Sequence, residues 1–240
     1  MKVYFVGAGP GDPELLTVRA RKLLEAAEVV VYAGSLVSEE VLQLASGAEV
    51  YNSFGMKLEE LVHLMAENAR RGRLVVRLHS GDPSIYGALA EQARELRRLG
   101  IEVEVVPGVS SFLAAAARLG VEYTLPEITQ TLILTRAPGR TPVPERERLS
   151  ELARHRASMV IFLSASHAEA VQRELLGSYP PTTPVAVVYS VSTPEERVIR
   201  CTLGELAEQV KRSGIRRRAL ILVGEFLEEH PTRSVLYGGR

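Results

Sequence analysis

Both aspartates of the chain stand in the same setting. Asp12 and Asp82 each occupy the middle of a Gly-Asp-Pro tripeptide, and each follows a short apolar run that predicts a β-strand. A carboxylate at such a position can cap the following helix, because it accepts backbone N–H groups and is favoured by the helix dipole. It can equally line a ligand crevice, since ligands of parallel sheets bind beyond the carboxyl ends of the strands. Both roles stay open for Asp12, and a binding site is favoured for Asp82.

The first of these aspartates ends a glycine-rich turn, VGAGPGD at residues 6–12. The turn comes close to the dinucleotide fingerprint GxGxxG but fails it, because Asp12 replaces the third glycine and the second strand has no acidic residue at its end. The lysine of a nucleotide P-loop is missing as well. A further turn, PGVSS at residues 107–111, follows a later predicted strand. Three such turns at one edge of a sheet would present backbone donors and acceptors to a small ligand.

Other residue types that do chemistry lack a supporting pattern. The five histidines are scattered without metal-ligand spacing, and no GxSxG nucleophile motif stands near them. The single cysteine, Cys201, excludes an internal disulfide and a multi-cysteine metal site, and we interpret it as a buried bystander thiol. The proline-rich residues 138–144 are either a solvated linker or a loop that faces a substrate. The pattern favours neither a hydrolase nor a zinc enzyme, and we expect no bound metal.

Alternating strands and helices must position these turns. In the first half, apolar β-branched runs predict five strands, at residues 3–6, 29–32, 49–51, 74–78 and 103–106. Helical periodicity predicts helices at residues 13–27, 58–70, 88–99 and 110–119. Continuous apolar strands that alternate with helices are typical of a parallel sheet covered on both faces.

A second α/β unit follows the first. It has predicted strands at residues 131–135, 159–163, 185–189 and 220–223, predicted helices at 145–155, 168–176 and 203–213, and candidates for extra antiparallel strands at 198–202 and 234–237. We therefore expect an α/β protein of two α/β/α domains. Residues 1–120 form the domain with a mainly parallel sheet, residues 126–240 form the domain with a mixed sheet, and residues 121–125 link them. A cleft between two such layers is a common ligand site.

Charge and hydropathy restrict the partners. With 29 Lys+Arg against 29 Asp+Glu the formal net charge is zero, so the chain has little long-range attraction for a phosphate backbone and nucleic-acid binding is not expected. An anionic ligand must be met by arginines placed locally. No apolar run is long enough to predict a membrane span, and the first residues lack the pattern of a signal peptide, so we expect a cytoplasmic protein with no membrane partner.

Taken together, the three turns resemble those of the tetrapyrrole (corrin and porphyrin) methyltransferases, which use S-adenosylmethionine. The signatures are VGAGPGDPELLTVRA at residues 6–20, SGDPSIYG at 80–87 and PGVSS at 107–111. Three further segments are similar to the branch that methylates carbon 11 of the corrin precursor precorrin-4: YAGSLV at 32–37, LPEITQTLILTR at 125–136 and GRTPVPE at 139–145. The resemblance extends along nearly the whole chain.

The resemblance implies S-adenosylmethionine in the cleft between the two domains, a homodimer, no metal, and an anionic tetrapyrrole as acceptor, either precorrin-4 or its cobalt complex. It implies that the three turns contact the cofactor through Pro10, Ser80, Gly81, Asp82, Ser110 and Ser111. By alignment of strands, it implies three further contacts from the second domain, at Leu163, Ala186 and Ala219. Because arginine forks match carboxylates, Arg77, Arg136 and Arg140 are candidates to bind the acceptor. Asp82 and Tyr86 are candidates to orient the acceptor or to help remove a proton from its ring.

Two kinds of alternative remain open. One is a methyltransferase of the same family with another substrate, such as uroporphyrinogen, a diphthamide intermediate or ribosomal RNA, although zero net charge argues mildly against RNA. The other is a non-catalytic regulator that binds a nucleotide in the same cleft.

Overall fold

The structure is a computed structural model that describes residues 1–139 and 141–230, except for the side chain of residue 35. It divides into two compact units, Met1–Ala114 and the remainder from Ala115 onward. The division falls within a helix, a few residues before the linker predicted at residues 121–125. Each unit is built on its own five-stranded sheet.

The first unit is a parallel α/β sheet, as the sequence predicts. Its strands run in parallel in the order β3-β2-β4-β1-β5. The strands are β1 (Lys2–Gly7), β2 (Val29–Tyr32), β3 (Glu49–Asn52), β4 (Val75–His79) and β5 (Glu102–Val106), and the helices are α1 (Val18–Ala26), α2 (Glu39–Gln43), α3 (Leu58–Arg70), α4 (Leu89–Arg98) and α5 (Ser111–Leu119). This order places β1 between β4 and β5, so the segments that follow these three strands leave the same edge of the sheet side by side.

Helices cover both faces of this sheet. On one face, Phe5 of β1 lies in a buried cluster with Met65 of α3 and Leu96 of α4. On the other face, Val6 lies in a cluster with Leu24 of α1. Because both faces are buried, successive residues of the central strands are apolar, which is why these strands appear in the sequence as continuous apolar runs.

The second unit has a mixed sheet, again as predicted. Its strands are β6 (Leu132–Arg136), β7 (Ser158–Phe162), β8 (Pro184–Tyr189), β9 (Arg197–Thr202) and β10 (Ala219–Val223), and its helices are α6 (Leu149–Ala153), α7 (Ala168–Leu175) and α8 (Leu206–Ser213). The order is β6-β7-β10-β8-β9, with β6 parallel to β7, β10 antiparallel to both of its neighbours, and β9 antiparallel to β8. The antiparallel strand expected at residues 198–202 is confirmed as β9. The strand expected at 234–237 lies outside the described residues.

The first predicted helix is interrupted near its start. A 3-10 turn spans Pro13–Leu15, and α1 begins only after Thr17, whose Oγ1 accepts the N–H of Ala20 at 3.2 Å. Oδ1 of Asp12 accepts the N–H of Glu14 at 2.8 Å and caps the short turn. Local hydrogen bonds from Asp and Thr side chains thus replace the helical bonds that the apolar periodicity suggests.

Helix α2 follows the second strand and is too short to be predicted from periodicity. Ser38 caps it, since Oγ accepts the N–H of Val41 at 3.3 Å. The same hydroxyl donates to the carbonyl oxygen of Gly11 at 2.6 Å. Ser38 therefore ties α2 to the glycine-rich turn that follows β1.

Cys201 lies in β9 and is half-buried. Burial raises the pKa of its thiol to about 11, with the Glu205 carboxylate adding to the effect. The thiol is therefore protonated at neutral pH and a poor nucleophile, in agreement with its interpretation as a bystander.

Candidate functional site

Three loops meet at the carboxyl edge of the first sheet. Loop 1 (residues 8–12) follows β1, loop 2 (residues 80–88) follows β4, and loop 3 (residues 107–110) follows β5. Loops 1 and 2 are joined by a pair of backbone hydrogen bonds, because the N–H of Gly9 donates to the carbonyl of Gly81 at 3.2 Å and the N–H of Gly81 donates to the carbonyl of Gly9 at 2.7 Å. The two loops therefore act as one backbone unit.

Three glycines, Gly7, Gly81 and Gly108, allow the loops to come this close, and we call them the glycine junction. A Cβ added at Gly7 would lie 2.5 Å from the nitrogen of Gly108 and 2.7 Å from the carbonyl oxygen of Gly81. A Cβ added at Gly108 would overlap the same oxygen. Gly81 itself has a φ of 64°, in the left-handed region that favours glycine. Contact between backbones thus requires glycine at positions 7 and 108, and the positive φ favours glycine at position 81.

Asp82 fastens loop 2 to loop 3. Its Oδ1 accepts the N–H and the hydroxyl of Ser84, with 2.8 Å to the nitrogen, and its Oδ2 accepts the N–H of Gly108 at 2.9 Å. Partial burial tends to raise the pKa of Asp82, but the hydrogen bonds from Ser84 and Gly108 outweigh burial, so its pKa lies below the ordinary value. The carboxylate is ionised at neutral pH and is a weak base.

The structure brings together the cofactor residues that the resemblance implies for the first unit. Gly81 lies against Ser110, since a Cβ added at Gly81 would be 3.6 Å from the Cα of Ser110 and 3.7 Å from the nitrogen of Ser111. Ser80 directly precedes Gly81, and Pro10 lies between the glycines of loop 1. Loops 1 to 3 thus combine backbone donors, backbone acceptors and serine hydroxyls at one edge of the sheet.

Loop 2 carries backbone strain next to these residues. Tyr86 has a φ of 54° and Ala88 a φ of 51°, conformations that non-glycine residues rarely adopt. Tyr86 is 48% exposed, although it is a large aromatic residue. Such strain costs about 1–3 kcal/mol for each residue and is concentrated at binding and catalytic sites. The end of loop 2 is therefore a second sign of function beside the glycine junction.

His79 is the last residue of β4 and was given no role by the sequence. It is buried, and its ring stacks on Phe5 with 5.6 Å between the ring centroids. Burial and, to a smaller extent, the neighbouring Arg77 charge lower its pKa to about 3, and the Asp82 carboxylate only partly opposes them. Among the described residues Nε2 of His79 has no hydrogen-bond partner. His79 is thus a neutral ring beneath loop 2.

Arg77 does not lie at the surface where an acceptor would bind, so its expected role needs correction. Only 4% of Arg77 is exposed. Its Nε donates to Gln92 at 2.9 Å, and one terminal nitrogen donates to Ser53 Oγ at 3.0 Å and to the carbonyl of Val31 at 3.3 Å. In β4 its side chain points toward α4, which the run of apolar neighbours does not reveal. We therefore remove Arg77 from the residues proposed to contact the acceptor.

Arg136 ends β6 in the second unit and holds the proline-rich loop. Its guanidinium donates to three backbone carbonyls, of Ala137 at 3.3 Å, Thr141 at 2.9 Å and Pro142 at 3.0 Å. The proline-rich segment is thus tied back to the end of the strand at its described residues. Arg140, the other arginine expected to bind the acceptor, lies outside the described residues.

The second unit has its own strained edge, where β7 and β8 end and β10 begins. Leu163, directly after β7, has a φ of 53° and is 63% exposed, which is unusual for a leucine. Ala219 lies at the same edge, paired with Tyr189. Ala186 does not, because it is fully buried within β8 and paired with Leu222.

Three further residues at this edge have strained backbones that the sequence does not predict. Ser190, Ser192 and Arg218 all have positive φ values, of 45°, 62° and 58°. Backbone strain has no sequence signature, although the polar run SVSTP at residues 190–194 marks the turn. Within the described part of the chain, Ser190 Oγ is buried without a hydrogen-bond partner.

The described residues contain neither a candidate metal site nor a candidate membrane span. No group of three or more His, Cys, Asp or Glu side chains among them could hold a metal ion. None of the helices in residues 1–139 and 141–230 is both long and apolar enough to cross a membrane.

Comparison with known proteins identifies close relatives. The family model described as Tetrapyrrole (Corrin/Porphyrin) Methylases matches residues 2–207. A cobalt-precorrin-4 C(11)-methyltransferase of Methanocaldococcus jannaschii is 54% identical over 228 residues, which cover 94% of this chain and 88% of the relative.

Solved structures agree with the sequence comparison. The X-ray structure of a cobalamin biosynthetic enzyme, cobalt precorrin-4 methyltransferase, is similar with a TM-score of 0.92 and 47% identity, over 95% of this chain and 96% of that one. Uroporphyrin-III C-methyltransferase from Thermus thermophilus, complexed with S-adenosyl homocysteine, has a TM-score of 0.82 and 38% identity, over 95% of this chain and 99% of that one.

The glycine junction can be tested by adding a single methyl group. Gly108→Ala places a Cβ onto the carbonyl oxygen of Gly81, so we expect it to lower the free energy of unfolding by about 1–3 kcal/mol, the usual cost of overpacking. Gly47→Ala is the matched control, because a Cβ there has no heavy atom within 4 Å. Urea denaturation followed by circular dichroism measures both. Equal stability of the two variants would contradict the junction.

The neutral state of His79 predicts a pH effect on stability. The pKa of His79 in the folded protein, about 3, lies below the ordinary value of 6.5. Between these two pH values the His79 ring is protonated in the unfolded chain and neutral in the folded one. Stability therefore falls as the pH decreases from 6.5 toward 3. Between pH 7 and pH 5 we expect the wild type to lose roughly 2 kcal/mol more than His79→Gln, measured by urea denaturation. Parallel losses in the two proteins would show that His79 titrates normally.

Proposed function

Since the chain belongs to the tetrapyrrole (corrin/porphyrin) methylase family, we propose that it methylates carbon 11 of precorrin-4, or of cobalt-precorrin-4, in cobalamin biosynthesis. The methyl donor is S-adenosylmethionine, and the products are precorrin-5, or its cobalt complex, and S-adenosylhomocysteine. The 54% identity to a cobalt-precorrin-4 C(11)-methyltransferase supports the choice of acceptor.

The meeting of loops 1 to 3 at the glycine junction is the observation that carries the proposal. Ser80, Gly81, Ser110 and Ser111 lie side by side there, as the resemblance implies for cofactor contacts. Most of the groups they offer are backbone atoms, which suit the polar edges of an adenosyl and an amino-acid group. Pro10 in loop 1 and, in the second unit, the exposed Leu163 and the buried Ala219 remain proposed contacts. Ala186 is fully buried and is paired with a strand on each side, so we remove it from the proposed contacts.

Methyl transfer depends mainly on how the two reactants are positioned. The ring carbon attacks the methyl group in line with the departing sulfur, the carbon–sulfur bond breaks as the new carbon–carbon bond forms, and the acceptor later loses a proton. Holding the two reactants in this geometry can supply about 7–11 kcal/mol of the lowered barrier. The protein therefore needs rigid loops more than an acid or a base, and the glycine junction supplies that rigidity.

Asp82 and Tyr86 have different parts in this proposal. Asp82 is a weak base whose oxygens already accept hydrogen bonds from Ser84 and Gly108, so we assign it to holding loops 2 and 3 together. Tyr86 is partly exposed on a strained backbone, and we assign it to orienting the acceptor.

Local arginines must bind the carboxylates of the acceptor, because the chain as a whole has no net charge. Arg136 and Arg140 remain the proposed residues, with Arg136 acting from the base of the proline-rich loop that it holds. We also propose a cytoplasmic homodimer, and sedimentation velocity measures its oligomeric state.

One second candidate has specific support. The similarity to uroporphyrin-III C-methyltransferase, at 38% identity, makes uroporphyrinogen III the main alternative acceptor. A non-catalytic regulator would bind the cofactor and transfer no methyl group to either compound.

Calorimetry and methyl-transfer assays test the proposal. We expect S-adenosylhomocysteine to bind, and methyl transfer to precorrin-4 or cobalt-precorrin-4 to exceed transfer to uroporphyrinogen III by at least about a hundredfold in kcat/KM, which corresponds to roughly 3 kcal/mol of discrimination. If S-adenosylhomocysteine does not bind at millimolar concentration, the proposed methyltransferase activity is wrong. Preference for uroporphyrinogen III would leave the family intact and overturn the acceptor.

The role of Asp82 can be tested against the other aspartate. Asp82→Ala removes the link between loops 2 and 3, and we expect turnover to fall about tenfold or more while circular dichroism stays unchanged. Asp12→Ala makes the same change in the other Gly-Asp-Pro tripeptide, where the carboxylate caps a short turn. We expect it to lower turnover much less. Equal rates for wild type and Asp82→Ala would contradict the assignment.

A further inference from the structure

Phe54 is an exposed aromatic residue at the edge where the three loops meet. It follows β3, and 87% of the residue is exposed. Leu36, after β2, and Met56 are also large exposed apolar residues in this region. Met56 is two residues from Phe54, and Leu36 is two residues from Gly34, where an added Cβ would lie 3.7 Å from the Cβ of Phe54. A large exposed apolar patch usually marks a surface that binds a partner or ligand.

The loop that carries Phe54, residues 53–56, is held firmly. The N–H and the hydroxyl of Ser53 both donate to the carbonyl of Tyr32 at 2.9 Å. The N–H of Phe54 donates to Asn52 Oδ1 at 2.9 Å, and the N–H of Met56 donates to the carbonyl of Ser53 at 3.1 Å. The aromatic ring is therefore presented to solvent by an ordered backbone.

Arg77 supports this loop from below. Its buried guanidinium donates to Ser53 Oγ at 3.0 Å, one residue before Phe54. Burial lowers the pKa of Arg77 to about 10, so the side chain still carries its charge at neutral pH. No carboxylate within residues 1–139 and 141–230 forms an ion pair with it. Burying a cation without a counterion destabilises a protein. The hydrogen bond from this cation to Ser53 holds the loop that exposes the Phe54 ring.

The Phe54 loop is continuous with loop 1. A Cβ added at Gly34 would lie 3.7 Å from the Cβ of Phe54, so the turn after β2 is in contact with this residue. That turn leads to Ser38, whose hydroxyl donates to the carbonyl of Gly11 in loop 1 at 2.6 Å. Phe54 and the glycine junction thus belong to one connected surface at the carboxyl edge of the first sheet.

We propose that Phe54, with Leu36 and Met56 beside it, is the apolar platform on which the tetrapyrrole ring of the acceptor lies. This inference rests on the proposed function. A tetrapyrrole has a broad apolar face and an anionic rim, and an exposed ring on a rigid loop fits that face. Sheet strands are spaced by about 4.8 Å, and β3 is three strands from β1, so the platform lies roughly 14 Å from loop 1, a distance that a macrocycle with its side chains can span.

Steady-state kinetics of Phe54→Ala test the platform. We expect KM for precorrin-4 to rise about tenfold or more, because an apolar contact with the acceptor is lost, while kcat changes little. The affinity for S-adenosylhomocysteine, measured by calorimetry, should stay unchanged. Leu99→Ala is the matched control, since Leu99 is an exposed apolar residue of the same unit that follows α4 and precedes β5, at the opposite edge of the sheet.

The possible outcomes separate this inference from the proposed function. If the wild type does not methylate precorrin-4 or its cobalt complex, the proposed function fails and the platform fails with it. If the wild type is active and Phe54→Ala has an unchanged KM, the platform alone is wrong. Sedimentation velocity gives a third result: if Phe54→Ala dissociates an oligomer that Leu99→Ala preserves, Phe54 contacts a second copy of the chain and the platform is overturned.

Discussion

The site depends on the close approach of three backbones. Where β4, β1 and β5 end, Gly7 and Gly108 lie so near to each other and to the carbonyl oxygen of Gly81 that neither has room for a Cβ, and the backbone of Gly81 adopts a left-handed conformation. The hydrogen-bond pair between Gly9 and Gly81 joins two of the loops. Because β1 lies between β4 and β5, this approach follows directly from the strand order. A compact surface of backbone donors and acceptors results.

Such a surface suits a reaction that depends on placement. Methyl transfer from a sulfonium group needs two molecules held in line, and rigid loops can hold them so. Asp82 agrees with a positional role, because both of its carboxylate oxygens accept hydrogen bonds, from Ser84 and Gly108, and these bonds lower its pKa. The buried charge of Arg77 has a similar positional effect at the neighbouring Phe54 loop.

Much of this architecture could be predicted from the sequence, because apolar periodicity directly reports burial. The described strands, both sheets and the place of Asp82 at a strand end followed from short apolar runs and a repeated tripeptide. The partner of Asp82 could not be predicted, since Gly108 is distant in the chain. Arg77 was misplaced because, in a strand buried on both faces, alternation does not show where a polar side chain points. The strain at Tyr86 and Leu163 and the exposure of Phe54 are consequences of tertiary structure.

The central claim is that the methyl donor binds at the joined loops. A crystal structure of the protein with S-adenosylhomocysteine tests it most directly. The account predicts that the ligand contacts residues 80–82 of loop 2 and Ser110 and Ser111 at the start of α5, largely through backbone atoms. Ligand bound elsewhere, with these residues untouched, would contradict the account.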